Sequence, residues 1–559
     1  MRKSEGIFLA STLLLLVIIY LSTTLMNLGV RAIRNDSIEL DEYDIHVEIL
    51  EPYGNREGTI VLIHGILGAS DMLRPMATDL VRVGWRVILI DQIGHGRSGG
   101  SYKLYFDEIR NLSRDLEELV NQTKGFRKAI ALYVSDIIEK NEKVVFGGHS
   151  FGGLLAVLIS MEFDHMFNVV ATIGIAPPYF ENATNKDLPR NLLLCLGEHD
   201  EFISVDSLKK FIRPDIPEAV EVGKILGDPS NGTARKLYVS PYSNHMFEPY
   251  DPLIIGEIIK WLDLCNGLEP RRPIVLSTPM VLLKAICSLI GLVMVAMLPV
   301  VLADRLGMVS GGKRFPTTTL AKKSIIACII IWPMFTTILL LMSLFFILGV
   351  AGYTGYVMPV LVGDYLLVAT VALIFAIEYL RGGNIIRVLK RAYSYIQSDL
   401  TNCLTLGIVE AIVFIIVLQV TLGSILIPMI PMTLDRVLIA IPLALIVFTY
   451  FLFHEYLFRG QIQEIFGGRR RSAAIISISL SLTSKIVIII LISAIVYYFS
   501  PSTAVVSVGF IGMVLVALLT EGLAATSYYA TREILPHALA SAIVWTCIAA
   551  AAFPIVHML

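Results

Sequence analysis

A serine flanked by glycines, Gly147-Gly148-His149-Ser150-Phe151-Gly152-Gly153, follows a short apolar run and precedes a helical one. G-x-S-x-G between strand and helix is the setting an exposed nucleophile needs. The serine occupies a strained turn, and side chains at the flanking glycines would crowd the neighbouring strand and helix. Five residues alone also fit a glycine-rich turn with an idle serine. Three further segments stand where such a serine would need partners. His64-Gly65-Ile66-Leu67-Gly68 ends the first central strand, where a loop can offer a backbone N–H to a developing oxyanion. Leu196-Gly197-Glu198-His199-Asp200 ends a later strand, a suitable place for an acid that orients a histidine. Ser243-Asn244-His245-Met246-Phe247 follows another strand and supplies that histidine.

These segments need a sheet to hold them. Thr59–Ile63, Val87–Ile90, Val144–Phe146, Val169–Ile175, Leu192–Leu196 and Lys236–Val239 read as short, buried strands. Met72–Val83, Asp107–Val120, Phe126–Glu139, Leu154–Met161 and Leu253–Leu264 read as the helices between them, and Ile38–Leu50 as an antiparallel edge. The alternation predicts a mostly parallel sheet with helices on both faces.

With Asp91-Gln92-Ile93-Gly94-His95-Gly96-Arg97-Ser98 after the second strand, and the chain order Ser, Asp, His, residues 40–266 resemble the α/β-hydrolase superfamily. The likeness is to its monoacylglycerol lipase, lysophospholipase and serine-aminopeptidase-like branch. The resemblance implies that Ser150 attacks an acyl carbonyl, that His245 takes and returns its proton, and that Asp200 holds the imidazole. It implies an oxyanion hole from the N–H groups of Ile66 and Phe151. Glu198 and Asp206 compete with Asp200 for the acid role. His64 and His95 belong to motif turns, and His149 is the variable position of the elbow. Relatives with a lid insert many residues between the strands ending near Ile175 and starting near Leu192; about fifteen stand here. Leu208–Ile212 and Glu218–Ile225 are candidates for a small cover, and the membrane or a helical domain for one wall of the site.

Composition adds a second domain. The chain has 559 residues, 55% of them hydrophobic and 16% charged, which excludes both a disordered chain and an ordinary soluble enzyme. Residues 1–273 hold 28 Lys/Arg and 37 Asp/Glu, a balance of -9; residues 274–559 hold 17 and 10, a balance of +7. No basic run with interleaved aromatics points to nucleic acid. The six cysteines show no metal-ligand spacing, and no cofactor is implied; Cys195 and Cys265 are a candidate disulfide only outside the cell. The uncharged run Gly6–Val30 suits an uncleaved spanning anchor. Eight further spans are read at Pro279–Ala303, Ser324–Val350, Val357–Leu380, Leu404–Ile427, Val437–Phe458, Ala473–Phe499, Ala504–Ala525 and Ala538–Val556, about nine transmembrane helices in total. The organisation expected is an anchor over 1–34, an α/β-hydrolase domain over 35–270 and a multi-helix transmembrane domain over 271–559.

Lys and Arg crowd alternate loops, around Arg305–Lys323, Arg381–Arg391 and Arg459–Arg471. The positive-inside rule makes those loops cytoplasmic and puts the hydrolase domain outside a cell membrane that the chain crosses several times. Five N-x-S/T sequons, at Asn35, Asn111, Asn121, Asn182 and Asn231, all fall in that outward segment. Ionisable residues within the apolar half (Glu410, His454, Glu455, Lys485, Glu521, with Asp364 and Glu378 nearer helix ends) need partners or a role. Phe453-His454-Glu455-Tyr456-Leu457-Phe458-Arg459-Gly460 puts Glu455 and Arg459 four apart, able to pair. This stretch resembles the Glu-Glu-x-x-x-Arg motif of CAAX-prenyl-protease and bacteriocin-processing (CPBP) intramembrane proteases. His454 replaces the first glutamate, Lys485 and Ser541 lie near the expected downstream histidines, and His537 and His557 fall at other spacings. The resemblance therefore implies a scaffold without metal or proteolysis, beside the plainer reading of a helical bundle with an internal ion pair. The expected activity is serine hydrolysis of carboxylic esters of lipids or other apolar acyl compounds at a bilayer. A peptidase or amidase, and a transporter or lipid-handling protein with an accessory hydrolase-like domain, are the alternatives.

Overall fold

The computed structural model describes residues 3–66, 68–104, 112–308, 400–468, 470–499, 520–552 and 556–558. The chain divides into two compact units. One comprises Ile18–Ile286, Thr421–Thr433 and Ala551–Leu559; the other comprises Met1–Val17, Cys287–Val420 and Leu434–Ala550.

The first unit is built on a nine-stranded sheet. Its strands are β1 (Val30–Leu40), β2 (Tyr43–Pro52), β3 (Gly58–Ile63), β4 (Trp85–Ile90), β5 (Lys143–His149), β6 (Asn168–Ile175), β7 (Leu192–Gly197) and β8 (Arg235–Ser240), with the two-residue strand Ile225–Leu226 beyond β8. Their spatial order is β1-β2-β4-β3-β5-β6-β7-β8, then Ile225–Leu226. From β4 to β8 every pairing is parallel, while β1 and β2 run antiparallel. All residues of β3, β4 and β7 are buried, as expected of strands covered on both faces. One face packs on α2 (Ser70–Arg82) and α7 (Pro252–Cys265). The other packs on α4 (Lys124–Ile137), α5 (Phe151–Glu162) and α6 (Val205–Ile212); α3 (Leu112–Gln122) precedes α4. This strand order with its antiparallel start is the α/β-hydrolase fold.

Three details differ from the sequence expectations. The single antiparallel edge is a hairpin of two long strands, because Asp41 adopts a positive φ of 53° and turns the chain within two residues. β1 begins at Val30, so the sheet starts inside the stretch assigned to the anchor. The proposed cover is partly sheet: Ile225–Leu226 pairs with β8, leaving α6 and a short turn at Pro217–Ala219 above it. The start of the helix expected over Asp107–Val120 lies outside the described residues, and so does Asn111.

Strand order reverses at β3, with β4 on one side and β5 on the other. A crevice opens at the carboxyl ends of strands at such a switch point, and the segments carrying His64 and Ser150 leave β3 and β5 there.

The second unit is helical where described: α1 (Lys3–Met26, which ends in the first unit), α8 (Ser277–Arg305, which begins in the first unit), α9 (Leu400–Leu418), α10 (Leu434–Glu455), α11 (Arg471–Phe499), a helix over 520–531, and α12 (Leu535–Ala552). Wide π turns continue α9 over Gln419–Gly423 and α10 over Tyr456–Gln463. Among the described residues, three helices are long and apolar enough to cross a membrane: Phe8–Met26, Ser277–Ala303 and Leu400–Gly423. The spans read at Ser324–Val350 and Val357–Leu380, and most of Ala504–Ala525, lie outside the described residues, as do Asp364 and Glu378.

Candidate active site

Ser150 sits between β5 and α5 at φ 54°, ψ -128°. That left-handed backbone costs a non-glycine residue on the order of 1–3 kcal/mol. Its neighbours hold it there. The Ser150 N–H donates to the Ile175 carbonyl on β6 at 2.7 Å, and its carbonyl accepts from Gly153 and Leu154 in the first turn of α5 at 2.9 and 3.2 Å. The two glycines are required by contact. A Cβ on Gly148 would lie 2.5 Å from the carbonyl oxygen of Ile63 and from the backbone of Gly152. A Cβ on Gly152 would run into the carbonyls of Ile63 and His64.

The structure brings three of the predicted site residues into one hydrogen-bonded line. Ser150 Oγ lies 3.0 Å from His245 Nε2, and His245 Nδ1 lies 2.8 Å from Asp200 Oδ2. The other Asp200 oxygen accepts from the Phe202 and Ile203 N–H groups at 2.7 and 2.8 Å. Burial alone would raise the Asp200 pKa, but the His245 hydrogen bond and these two donors outweigh it and hold it below the usual carboxylate value. Asp200 is thus a fixed negative charge behind the imidazole. Glu198 and Asp206 are exposed and do not approach His245. Phe202 stands edge-on to the His245 ring at 4.9 Å.

Phe151 is the first residue of α5, so its N–H is one that a helix leaves without an internal partner. Ile66 lies in the turn after β3, where Gly68 N–H closes onto the Gly65 carbonyl at 3.1 Å; Leu67 lies outside the described residues. His64 braces this turn. Its Nε2 accepts from Gln92 N–H at 2.9 Å, so its Nδ1 carries the proton and donates to the Gly65 carbonyl at 2.7 Å. Burial lowers the His64 pKa and keeps the ring neutral. Gln92 returns a side-chain hydrogen bond to the His64 carbonyl, and Tyr102 hydroxyl donates to Gln92 Oε1 at 3.0 Å. Asp91 accepts from Ser70 and Arg97 N–H at 2.6 and 2.9 Å, which ties the segment after β4 to the start of α2. His95 packs against His64 and hydrogen-bonds the Ile93 carbonyl. Both motif histidines are scaffold. Cys195 and Cys265 are free thiols.

Sequence reasoning missed Glu248, three residues after His245 and followed by a proline. It is fully buried, and its Oε1 accepts from Gly197 N–H at 2.6 Å. Burial first, then the Asp200 charge, raise its pKa well above the carboxylate range. A proton on Glu248 can be donated to Asp200, which gives the otherwise unpartnered Oε2 a role. His149 lies beside it, with Nε2 2.8 Å from the His245 carbonyl and 3.3 Å from Glu248 Oε2; burial pushes its pKa down to about 3. His149, His245 and Glu248 present possible ligand atoms within 4.8 Å of one another. Hydrogen bonds to the His245 carbonyl, Ser150, Asp200 and Gly197 already engage all three side chains.

Fold and site together define the class, an α/β-hydrolase fold with a serine at its elbow. The protein-family model described as serine aminopeptidase, S33 matches residues 54–198. The chain is similar to a proline iminopeptidase of Saccharolobus solfataricus, 27% identical over 180 residues, 32% of this chain and 52% of that protein. It is similar to an sn-1-specific diacylglycerol lipase of Danio rerio, 24% identical over 176 residues, 28% of this chain and 50% of that protein. The chain thus spans about half the length of these curated relatives. Among solved structures, a predicted CIB-like hydrolase from Thermoplasma acidophilum is 20% identical, covering 42% of this chain and 99% of that one, with a TM-score of 0.30. The Pyrococcus furiosus esterase Pf2001 is 17% identical, covering 42% and 92%, with a TM-score of 0.29.

Gly152→Ala will destabilise the hydrolase unit by on the order of 3 kcal/mol, read as a lower Tm of the detergent-solubilised chain; an unchanged Tm would contradict the close approach. Glu248→Gln reproduces a neutral acid, since its amide can donate to Asp200 and its oxygen can accept from Gly197, whereas Glu248→Ala leaves the Gly197 N–H without this acceptor and Asp200 with one donor fewer. Wild type keeps a proton on folded Glu248 that the unfolded chain releases, so it loses stability as pH rises from the ordinary glutamate range towards the raised value. The Tm advantage of Glu248→Gln over wild type will therefore grow from pH 5 to pH 8. A difference that stays flat over that interval would show that Glu248 is charged.

Proposed function

We propose that the chain is a membrane-embedded serine hydrolase that cleaves carboxylic esters of lipids or other apolar acyl compounds. The observation that carries this reading is the Ser150–His245–Asp200 line, anchored on a strained elbow. Ser150 Oγ attacks the ester carbonyl carbon while its proton passes to His245 Nε2. Asp200 holds Nδ1–H and offsets the imidazolium charge. The carbonyl oxygen becomes an oxyanion held by the Phe151 and Ile66 N–H groups, each donor worth about 2.7–4 kcal/mol in such holes. His245 then gives the proton to the departing alcohol, leaving an acyl-serine. Water, deprotonated by His245, hydrolyses it and restores Ser150.

An apolar substrate is supported by the surroundings. Ile66, Phe202, Met246 and Phe247 flank the line and are 43%, 45%, 48% and 53% exposed. Such side chains cost little once covered by an acyl chain. Amide hydrolysis is the second reading, supported by the match to a serine aminopeptidase model. The helices long enough to span support embedding in a bilayer. The asparagines of the four described sequons, Asn35, Asn121, Asn182 and Asn231, are exposed, which suits an outward-facing hydrolase domain. The second unit is read as a helical scaffold with a CPBP-like stretch; Arg459 Nε lies 3.4 Å from Glu455 Oε2, and the guanidinium also pairs with Glu521.

The full chain in lipid nanodiscs will hydrolyse apolar acyl esters faster than aminoacyl amides, and Ser150→Ala will lower kcat by at least roughly 10⁴-fold. Activity that survives Ser150→Ala would remove this serine from the chemistry. In intact cells, an impermeant amine reagent will label lysines of residues 31–273; labelling only after the membrane is opened would place the domain inside.

A further inference from the structure

The second unit contains another hydrogen-bonded line of serine, histidine and carboxylate. On α12, His537 and Ser541 stand one turn apart, and Ser541 Oγ lies 2.9 Å from His537 Nε2. His537 Nδ1 lies 2.9 Å from Glu410 Oε1, which comes from α9. All three are buried, Glu410 at 1% exposure, His537 at 4% and Ser541 at 3%. Acyl transfer does not fit this line. Ser541 lies within a regular helix, whose N–H groups are spent on i→i−4 bonds rather than offered to an oxyanion.

Other observations give the line a different use. Glu410 Oε2 is buried without a hydrogen-bond partner. Glu410, His537, Ser541 and Thr520 line a cavity of about 10 Å³, space for roughly one water. Further charged groups pack near it. Arg459 pairs with Glu455 and Glu521; His454 lies 3.2 Å from Glu455 and 3.6 Å from Glu521, and Ser481 of α11 stands 3.0 Å from its Nε2. Both of those carboxylates act electrostatically on His537. Glu455 and Glu521 share the Arg459 guanidinium, and Glu410 has His537 as its partner. The buried Glu410 carboxylate is costly in an apolar interior unless neutralised. The His537 imidazole can take up a proton beside that carboxylate, and it borders the cavity.

We propose that Glu410, His537 and Ser541 form an exchangeable proton site of the apolar unit, loaded from water in the adjoining cavity, with a proton-linked role separate from ester hydrolysis. In the unloaded state the Ser541 hydroxyl donates to His537 Nε2 and Glu410 accepts from Nδ1–H. On loading, hydronium in the cavity passes a proton through the Ser541 hydroxyl to Nε2 and becomes water. The hydroxyl then accepts from Nε2–H, and Glu410 stays the counter-charge of the imidazolium. Unloading returns the proton to water, and no other bond changes.

The test is infrared difference spectroscopy of the full chain in nanodiscs between pH 5 and pH 8. Wild type will show a buried imidazole band changing together with a carboxylate band. Glu410→Gln and His537→Gln will each remove that coupled change while ester hydrolysis stays within about twofold of wild type. Ser541→Ala will keep the bands but slow their response to a pH jump at least about tenfold. A wild-type spectrum without the coupled change, or one that persists in both Glu410→Gln and His537→Gln, would overturn the proposal. The wild-type measurement decides even if a variant does not fold, and loss of ester hydrolysis through Ser150→Ala leaves the bands unchanged.

Discussion

Ser150 holds a left-handed backbone between a buried strand and a buried helix, and the geometry of the hydrolase unit depends on that turn persisting. The turn survives because β5 and α5 meet the end of β3 so closely that residues 148 and 152 cannot carry a side chain. The same contact sets the serine at the carboxyl edge of the sheet, at the reversal of strand order. The segments after β7 and β8 reach that edge from the far side, carrying Asp200 and His245. Largely buried strands thus position three side chains that lie 45 to 95 residues apart in sequence.

Two neighbouring carboxyl groups divide the electrostatic work. Asp200 keeps its charge because three donors converge on it, whereas Glu248, with one backbone donor and a charged carboxylate beside it, keeps its proton. Opposite protonation states in adjacent acids allow them to share a hydrogen bond instead of repelling each other. His149 joins this arrangement as a neutral ring under the His245 carbonyl.

The strands were legible because each is a short apolar run closed by glycine or a polar turn, and all six strands read from Thr59 onward are present within three residues at either end. Ser150, Asp200 and His245 were legible because each directly follows such a strand. Glu248 was not, because an isolated acid after a histidine reads as surface until its burial is known; the Glu-Pro pair one turn after His245 is the signal that marks it. The hairpin at Asp41 was hidden by a charged turn inside a β-like run. In the apolar unit, the spacing of Glu455 and Arg459 suggested their pairing, but Glu521, 62 residues from Arg459, and the meeting of Glu410 with His537 depend on helix packing that hydropathy does not encode.

The central claim is that one strained serine is the nucleophile of this chain. Its most direct test is peptide mapping by mass spectrometry after the folded, full-length protein reacts with a fluorophosphonate. The account predicts a single phosphonyl adduct on the peptide containing Ser150. A folded protein that remains unmodified, or an adduct on another serine with Ser150 untouched, would contradict it.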